Sequence, residues 1–345
     1  MFFLVSGIWY LVSRCGGSRV EKKFKLFDKK HWLAYFFIVI IVAALITSSR
    51  IAYHYYGEGT VPDSGEITAF DFLDQMPLEA PFYPTLESIW RIETFEDKLK
   101  YLYSIDPTAY VLPEQLDIHG FLRKDLTSDL RGGEPKILIF HTHSRETFID
   151  SRKGEEEDTI VGVGNLLADI LNTVYNIPVI HDTSRYDVVN GRERRDGSYE
   201  RMALGVSEIL RKHPSIEITI DLHRDGVPDH IRLVHDINGV STARMMLFNG
   251  ITCLNVNERP RPMPDLPNPH LYENLALSLQ LQLAANEFFP GLMRRIYIKP
   301  YRYSLHLKPK SILVEVGANT NTVAEARNAM WPLAQILVSV LDGNE

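Results

Sequence analysis

The chain has 345 residues, 45% of them apolar, a formal net charge of −7 and two cysteines. That length allows one large globular domain with additions, while two cysteines exclude a four-thiolate zinc cage. Residues 1–48 carry seven Lys and Arg against two Asp and Glu, or +5; the remainder carries 30 against 42, or −12, and so has no general attraction for nucleic acid.

Along the chain, the opening MFFLVSGIWYLV is apolar but too short to span a bilayer. The uncharged run WLAYFFIVIIVAALI, residues 32–46, follows the basic stretch KKFKLFDKKH. With its small polar flanks it reaches the lower length limit for a membrane span, and the basic side predicts a cytoplasmic N-terminus. The expected plan is a cytoplasmic segment 1–30, one transmembrane helix 31–49, a stalk with a short helical region 50–134, and a catalytic domain 135–345 outside the cytoplasmic membrane. Within 84–104, Leu86, Ile89, Ile92, Phe95, Leu99 and Leu102 recur at helical intervals. The break DLRGGEP (129–135) precedes the main domain.

Beyond the break, strand and helix patterns alternate. Strands are predicted over 136–140, 177–181, 216–221 and 311–316, with shorter extended pieces at 230–235 and 244–248. Helices are predicted over 159–175, 198–212 and 271–288, and from Thr322, where Thr322 and Glu325 form a capping-box pattern. Pro332 should kink or restart that last helix. The alternation predicts an α/β fold: three layers, a mostly parallel sheet with flanking helices.

Three predicted strands end in groups suited to metal work. The first runs into His141, His143 and Glu146, the second into Asp221, His223, Arg224 and Asp225, the third into Glu315. In open parallel sheets, chemistry gathers at the carboxyl ends of strands. Two imidazoles and a carboxylate leave a fourth zinc position open for water, and a spare carboxylate can carry the water's proton. One of His141 and His143 is expected to bind metal, and spacing alone does not choose between them. Each residue also has a structural reading: turn histidines for His141, His143 and His223, a buried ion pair for Glu315.

The stretches HTHSRETF (141–148), IDLHRD (220–225), PNPHLYENLALSLQLQ (267–282), PGLMRRIYIKPYRYSLHL (290–307) and SILVEVGANTNTVAEA (311–326) resemble the stage II sporulation protein P family of spore-forming bacteria. The resemblance covers about 135–340. It implies an amidase-like fold and a zinc-dependent peptidoglycan hydrolase, an N-acetylmuramoyl-L-alanine amidase that also cuts peptide cross-links. It implies a role in septal wall removal during engulfment, and a partner lytic transglycosylase of the stage II sporulation protein D type. Carried over by position, it makes His141 and His223 zinc ligands and Glu315 the catalytic carboxylate. Glu146 is the nearest carboxylate ligand, with His143 a competing ligand. Arg224, Asp225, Asn268 and Asn274 are candidate substrate contacts. YRYSLHL departs from the expected asparagine-glutamine pair after the tyrosine. Two other readings stand beside this one: a catalytically silent wall-binding scaffold for a lytic transglycosylase, separable by zinc content, and a zinc deacetylase of wall sugars, separable by its product.

Overall fold

The computed structural model describes residues 82–343 and the backbone of three strands near the N-terminus. The chain divides into two compact units, 1–67 and 68–345. In the first, Phe2–Val5, Ile8–Cys15 and Ser18–Phe24 form a three-stranded antiparallel sheet. The expected transmembrane helix 31–49 and the stalk up to residue 81 lie outside the described residues. Among the described residues no helix is long and apolar enough to cross a membrane.

The second unit is built on a seven-stranded sheet. We number its strands β1 (Tyr103–Ile105), β2 (Ile137–Phe140), β3 (Val179–His181), β4 (Ile218–Asp225), β5 (Met245–Gly250), β6 (Ile296–Lys299) and β7 (Ser311–Ala318). Their order across the sheet is β1-β6-β5-β7-β4-β2-β3, and every pairing is parallel except β5 with β7. The mostly parallel α/β architecture expected from the alternation is present. β2, β4 and β7 therefore end at the same edge, which brings three separate stretches of sequence together.

Side-chain alternation sorts the two faces. On one face lie Ile137 and Ile139, Ile218, Ile220 and Leu222, and Ile312, Val314 and Val316, all within the main core. That core is closed by α3 (Ile160–Thr173), α5 (Leu271–Phe288) and α7 (Met330–Leu341), with α1 (Phe95–Tyr101), α2 (Ile118–Arg123) and α6 (Val323–Asn328) around them. On the other face Leu138 and Phe140 pack under Met202 and Val206 of α4 (Ser198–Lys212). Farther across this second face, Phe248 and Leu313 pack with Leu305, Tyr297 and Tyr303.

Several differences from the sequence reading have local causes. Only Phe95–Tyr101 of the expected 84–104 helix is α-helical; Tyr103–Ile105 breaks away as an edge strand paired with β6. The segment read as stalk and helical region thus supplies part of the sheet and, through Ile89, Leu102, Leu116 and Phe121, part of the core. The last helix splits at Ala329, and Pro332 sits in the first turn of α7, where a missing N–H costs nothing. The Thr322–Glu325 capping box forms as expected. α5 places Leu at every second position from 275 to 283, a strand-like pattern, yet is helical because it is buried nearly all round.

Candidate functional site

The in-register pairing of β4 with β7 sets Glu315 directly beside His223. Both belong to the second face, since their strand neighbours Leu222, Val314 and Val316 all point into the opposite core. Two residues earlier on β4, Asp221 shares that face and accepts the His223 Nε2–H at 2.7 Å. Asp221 is itself fixed by the Thr142 backbone N–H (2.9 Å) and hydroxyl (2.7 Å). This leaves His223 Nδ1 facing Glu146, whose Oε2 lies 3.4 Å away. Glu146 is held in turn by the Arg224 backbone N–H at 2.9 Å and by Arg195 at 3.4 Å.

The two histidines of the opening motif part company. β2 ends at Phe140, and His141 continues its alternation onto the first face. There its Nδ1–H donates to the Leu222 carbonyl at 2.8 Å and its Nε2 shares a 2.8 Å hydrogen bond with Nε2 of His181. Gly164 of α3 makes room for this pair, because a Cβ there would stand 2.8 Å from both Nε2 atoms. His141 is thus fully engaged away from His223, and the structure does not bring it to the ligand cluster that the resemblance implied. The turn after β2 reverses the backbone and carries His143 to the second face. Its ring sits edge-on to His223, centroids 5.4 Å apart, and its buried Nδ1 has no hydrogen-bond partner.

The electrostatics follow from packing carboxylates and imidazoles into one largely buried place. Burial pushes the Glu315 carboxyl up to about 8, the charges of Glu146 and Asp225 adding to it against the pull of His223; its Oε2 is buried without a partner. Burial works against protonation of His223, but Asp221 and Glu146 outweigh it and hold that imidazole well above its ordinary value. For Glu146 and Asp221, burial works against ionisation, but His223 and the hydrogen bonds hold both below the usual carboxylate range. Burial lowers His143, and the neighbouring His223 lowers it further. Burial likewise drops His141 to about 4, with His181 adding to the effect.

These residues suit a zinc ion in donor type. Two donors on tetrahedral zinc, each about 2.0–2.1 Å from it, stand about 3.3–3.4 Å apart, the separation of His223 Nδ1 and Glu146 Oε2. His223 has the carboxylate behind its other nitrogen that metal-bound imidazoles need for orientation. The Nδ1 of His143, buried without a hydrogen-bond partner beside the His223 ring, is the candidate third donor. Among the described residues, however, no three His, Cys, Asp or Glu side chains converge on one point as they stand. A proton and a metal ion compete for the same nitrogen on each imidazole.

The remaining candidates divide. Asp225 lies at the end of β4, bound at 2.6 Å to Arg294, and Arg224 bonds through Nε to the Thr147 carbonyl; both border the cluster. Asn268 donates to the Gly250 carbonyl and lies in the loop before α5. Asn274 is buried and spends its amide on the Ser311 N–H and the Leu305 carbonyl, a brace between α5, β7 and the 300–307 loop. Three neighbours escaped the sequence reading: Arg195, Arg294 and Tyr199, whose ring lies 5.7 Å from that of His143. A Tyr in the first turn of α4 and two Arg in polar loops carry no spacing signal that would have singled them out.

The chain resembles known proteins at two levels. The solved structures similar to it include the catalytic domain of CwlV, an N-acetylmuramoyl-L-alanine amidase from Bacillus (Paenibacillus) polymyxa var. colistinus (11% identity, TM-score 0.35, 59% of this chain and 97% of that one). They also include the CwlD amidase of Clostridioides difficile in complex with the GerS lipoprotein (12%, 0.35, 59% and 98%). Both likenesses are too slight to carry chemistry across. A curated relative, stage II sporulation protein P of Bacillus subtilis (strain 168), is 22% identical over 232 residues, 62% of this chain and 53% of that protein. The chain thus spans about half the length of that relative. The family model for stage II sporulation protein P matches residues 95–338, well over half the chain and the whole of the site. The chain belongs to the stage II sporulation protein P family.

Proposed function

We propose that this chain is a zinc-dependent N-acetylmuramoyl-L-alanine amidase of peptidoglycan, with peptide cross-links a second target. In this reading segment 31–49 anchors it in the cell membrane, the catalytic unit faces the space outside the cytoplasmic membrane, and the process is septal wall removal during engulfment. A lytic transglycosylase of the stage II sporulation protein D type is the proposed partner. The observation that carries the reading is Glu315, a half-buried carboxylate with one enclosed, unpaired oxygen, set in register beside His223. A carboxylate interrupting an apolar strand is costly without such a role.

His143, Glu146 and His223 are the proposed zinc ligands, with His143 taking the place first given to His141. Asp221 orients His223, and Arg195 with the Arg224 backbone orients Glu146. When bound, zinc supplies a polarised carbonyl and a water whose pKa falls to about 7. Glu315 would take a proton from the attacking water as the water oxygen bonds to the lactyl carbonyl carbon. Glu315 then hands the proton to the L-alanine nitrogen as the C–N bond breaks, releasing the stem peptide. Glu315 needs its carboxylate form for this, and positive charge nearby favours that form.

The test is digestion of purified peptidoglycan. Stem peptides with free N-terminal L-alanine should appear and should vanish on chelation. Glu315→Gln should keep its zinc and lose at least about a hundredfold in rate; an undiminished rate removes Glu315 from the chemistry. The lack of three convergent donors among the described residues favours a second reading, a silent scaffold binding wall or transglycosylase. Zinc stoichiometry near zero in the folded protein, with no peptide released from peptidoglycan, would establish it.

A further inference from the structure

From His143 a series of aromatic rings crosses the second face of the sheet. His143 meets Tyr199, Tyr199 meets Tyr303 at 5.4 Å, and Tyr303 meets both Phe248 at 4.7 Å and Tyr301 at 6.3 Å. Below them Phe248 is in register with Tyr297 of β6, centroids 5.8 Å apart. Past Tyr297 the series ends in a charged pair. Asp106 accepts from the Tyr297 hydroxyl at 2.8 Å and pairs with Lys299 at 3.1 Å.

Packing alone does not account for this row. Tyr301 is 47% exposed, so its ring contributes little to the core. The hydroxyls of Tyr199, Tyr301 and Tyr303 form no hydrogen bond among the described residues, and phenylalanine would serve a purely apolar contact better. The loop that presents the rings is also held under strain. Tyr303 has φ +52°, left-handed backbone that a bulky side chain rarely adopts. It is fixed there by the bond from Asn274 Nδ2 to the Leu305 carbonyl, by His306 against the Tyr303 carbonyl, and by Arg302 on the Pro267 carbonyl. Gly250 lets the loop approach, since a Cβ there would stand 1.8 Å from the Tyr301 backbone carbonyl oxygen. Strain of this kind persists where surrounding structure over-determines it, and such positions cluster at ligand sites.

Sugar rings match what is presented. Their C–H faces stack on aromatic faces, and their hydroxyl and acetamido groups need donors and acceptors at the ring edges, here the phenols, Asp106 and Lys299. We propose that Tyr199, Tyr303 and Tyr301, with Tyr297, Asp106 and Lys299 beyond them, form a saccharide subsite that takes the amino-sugar backbone of a glycan strand leading into the cluster at His143. The site resides in the same face as the proposed amidase chemistry and rests on that reading for its natural substrate, but it binds sugar without cleaving it.

The test uses the full-length chain with EDTA and the soluble tetramer of β-1,4-linked N-acetylglucosamine, which has no stem peptide. Titration calorimetry should show saturable binding. Tyr301→Ala should weaken it about tenfold, the order of one lost stacking contact, while Tyr301→Phe keeps most of it. Trp331→Ala, an exposed aromatic on α7 across the sheet, should leave it unchanged. Equal affinity in Tyr301→Ala and wild type, or no binding by wild type, overturns the subsite. So does weakened binding of a free stem peptide by Tyr301→Ala without any effect on the tetramer. Tetramer binding by a protein that releases no peptides from peptidoglycan leaves the subsite standing and sinks the amidase reading instead.

Discussion

Glu315 and His223 stand opposite each other on adjacent parallel strands, His223 buried and Glu315 half-buried with its Oε2 enclosed, on the face that carries Asp221. An acid and an imidazole locked together by backbone register cannot drift apart as surface side chains do. The pair therefore reports on the site through both stability and chemistry.

The first expectation concerns pH. Burial raises the Glu315 carboxyl to about 8 from an ordinary 4.5, so the metal-free folded state holds that proton more tightly than the unfolded chain. Its contribution to stability is complete below about pH 4.5 and is lost as pH rises through about 8. Urea denaturation of the metal-free protein should show stability falling from pH 5 to pH 8.5. Glu315→Gln, neutral throughout, should flatten that fall; an identical slope in the variant would show that Glu315 is not the buried acid responsible.

Zinc content separates the two histidines of the opening motif. His143→Ala should lose bound zinc, because both nitrogens of His141 are engaged in hydrogen bonds while His143 Nδ1 is buried without a partner. His141→Ala should lose stability instead, by roughly 1–3 kcal/mol from its unpaired partners, and still bind zinc when folded. Metal analysis of folded protein that shows the reverse pattern would return His141 to the ligand set.

Behind the ligands, Asp221 fixes the tautomer and tilt of His223 through a 2.7 Å bond. Asp221→Asn is nearly isosteric, yet it offers neutral rather than anionic support. Zinc affinity should fall about 10–100-fold, the usual cost of losing such an orienting carboxylate. A competition titration against a chromophoric chelator measures it, and an unchanged affinity would remove Asp221 from the site.

On the far face, Gly164→Ala inserts a methyl 2.8 Å from two imidazole nitrogens at positions that cannot swing free, because each ring is tied at its other nitrogen. The cost should be of the order of 1–3 kcal/mol, as for overpacking generally. Thermal or urea unfolding reads it, and the catalytic rate of the folded variant should be little changed.

Much of the architecture was legible because it is written locally. The 198–212 helix, the KILIF and SILVEV strands, and the Thr322–Glu325 cap follow from periodicity and end chemistry over fewer than twenty residues. The strand Tyr103–Ile105 did not show itself, because three residues carry no period, and its identity comes from pairing with Ile296–Ile298 far along the chain. Ile296–Lys299 was hidden in the same way between basic and proline residues.

The sequence by itself determined which chemistry was on offer: imidazoles and carboxylates at the ends of apolar strands, within a fold that lines those ends up. Tertiary structure alone decided which of them meet. His141 and His143 are two positions apart and equivalent on paper. The strand stops between Phe140 and the turn, so one ring is driven under α3 against His181 and the other is released toward His223. Where a backbone leaves its sheet depends on what packs against it from distant segments, and no local spacing records that.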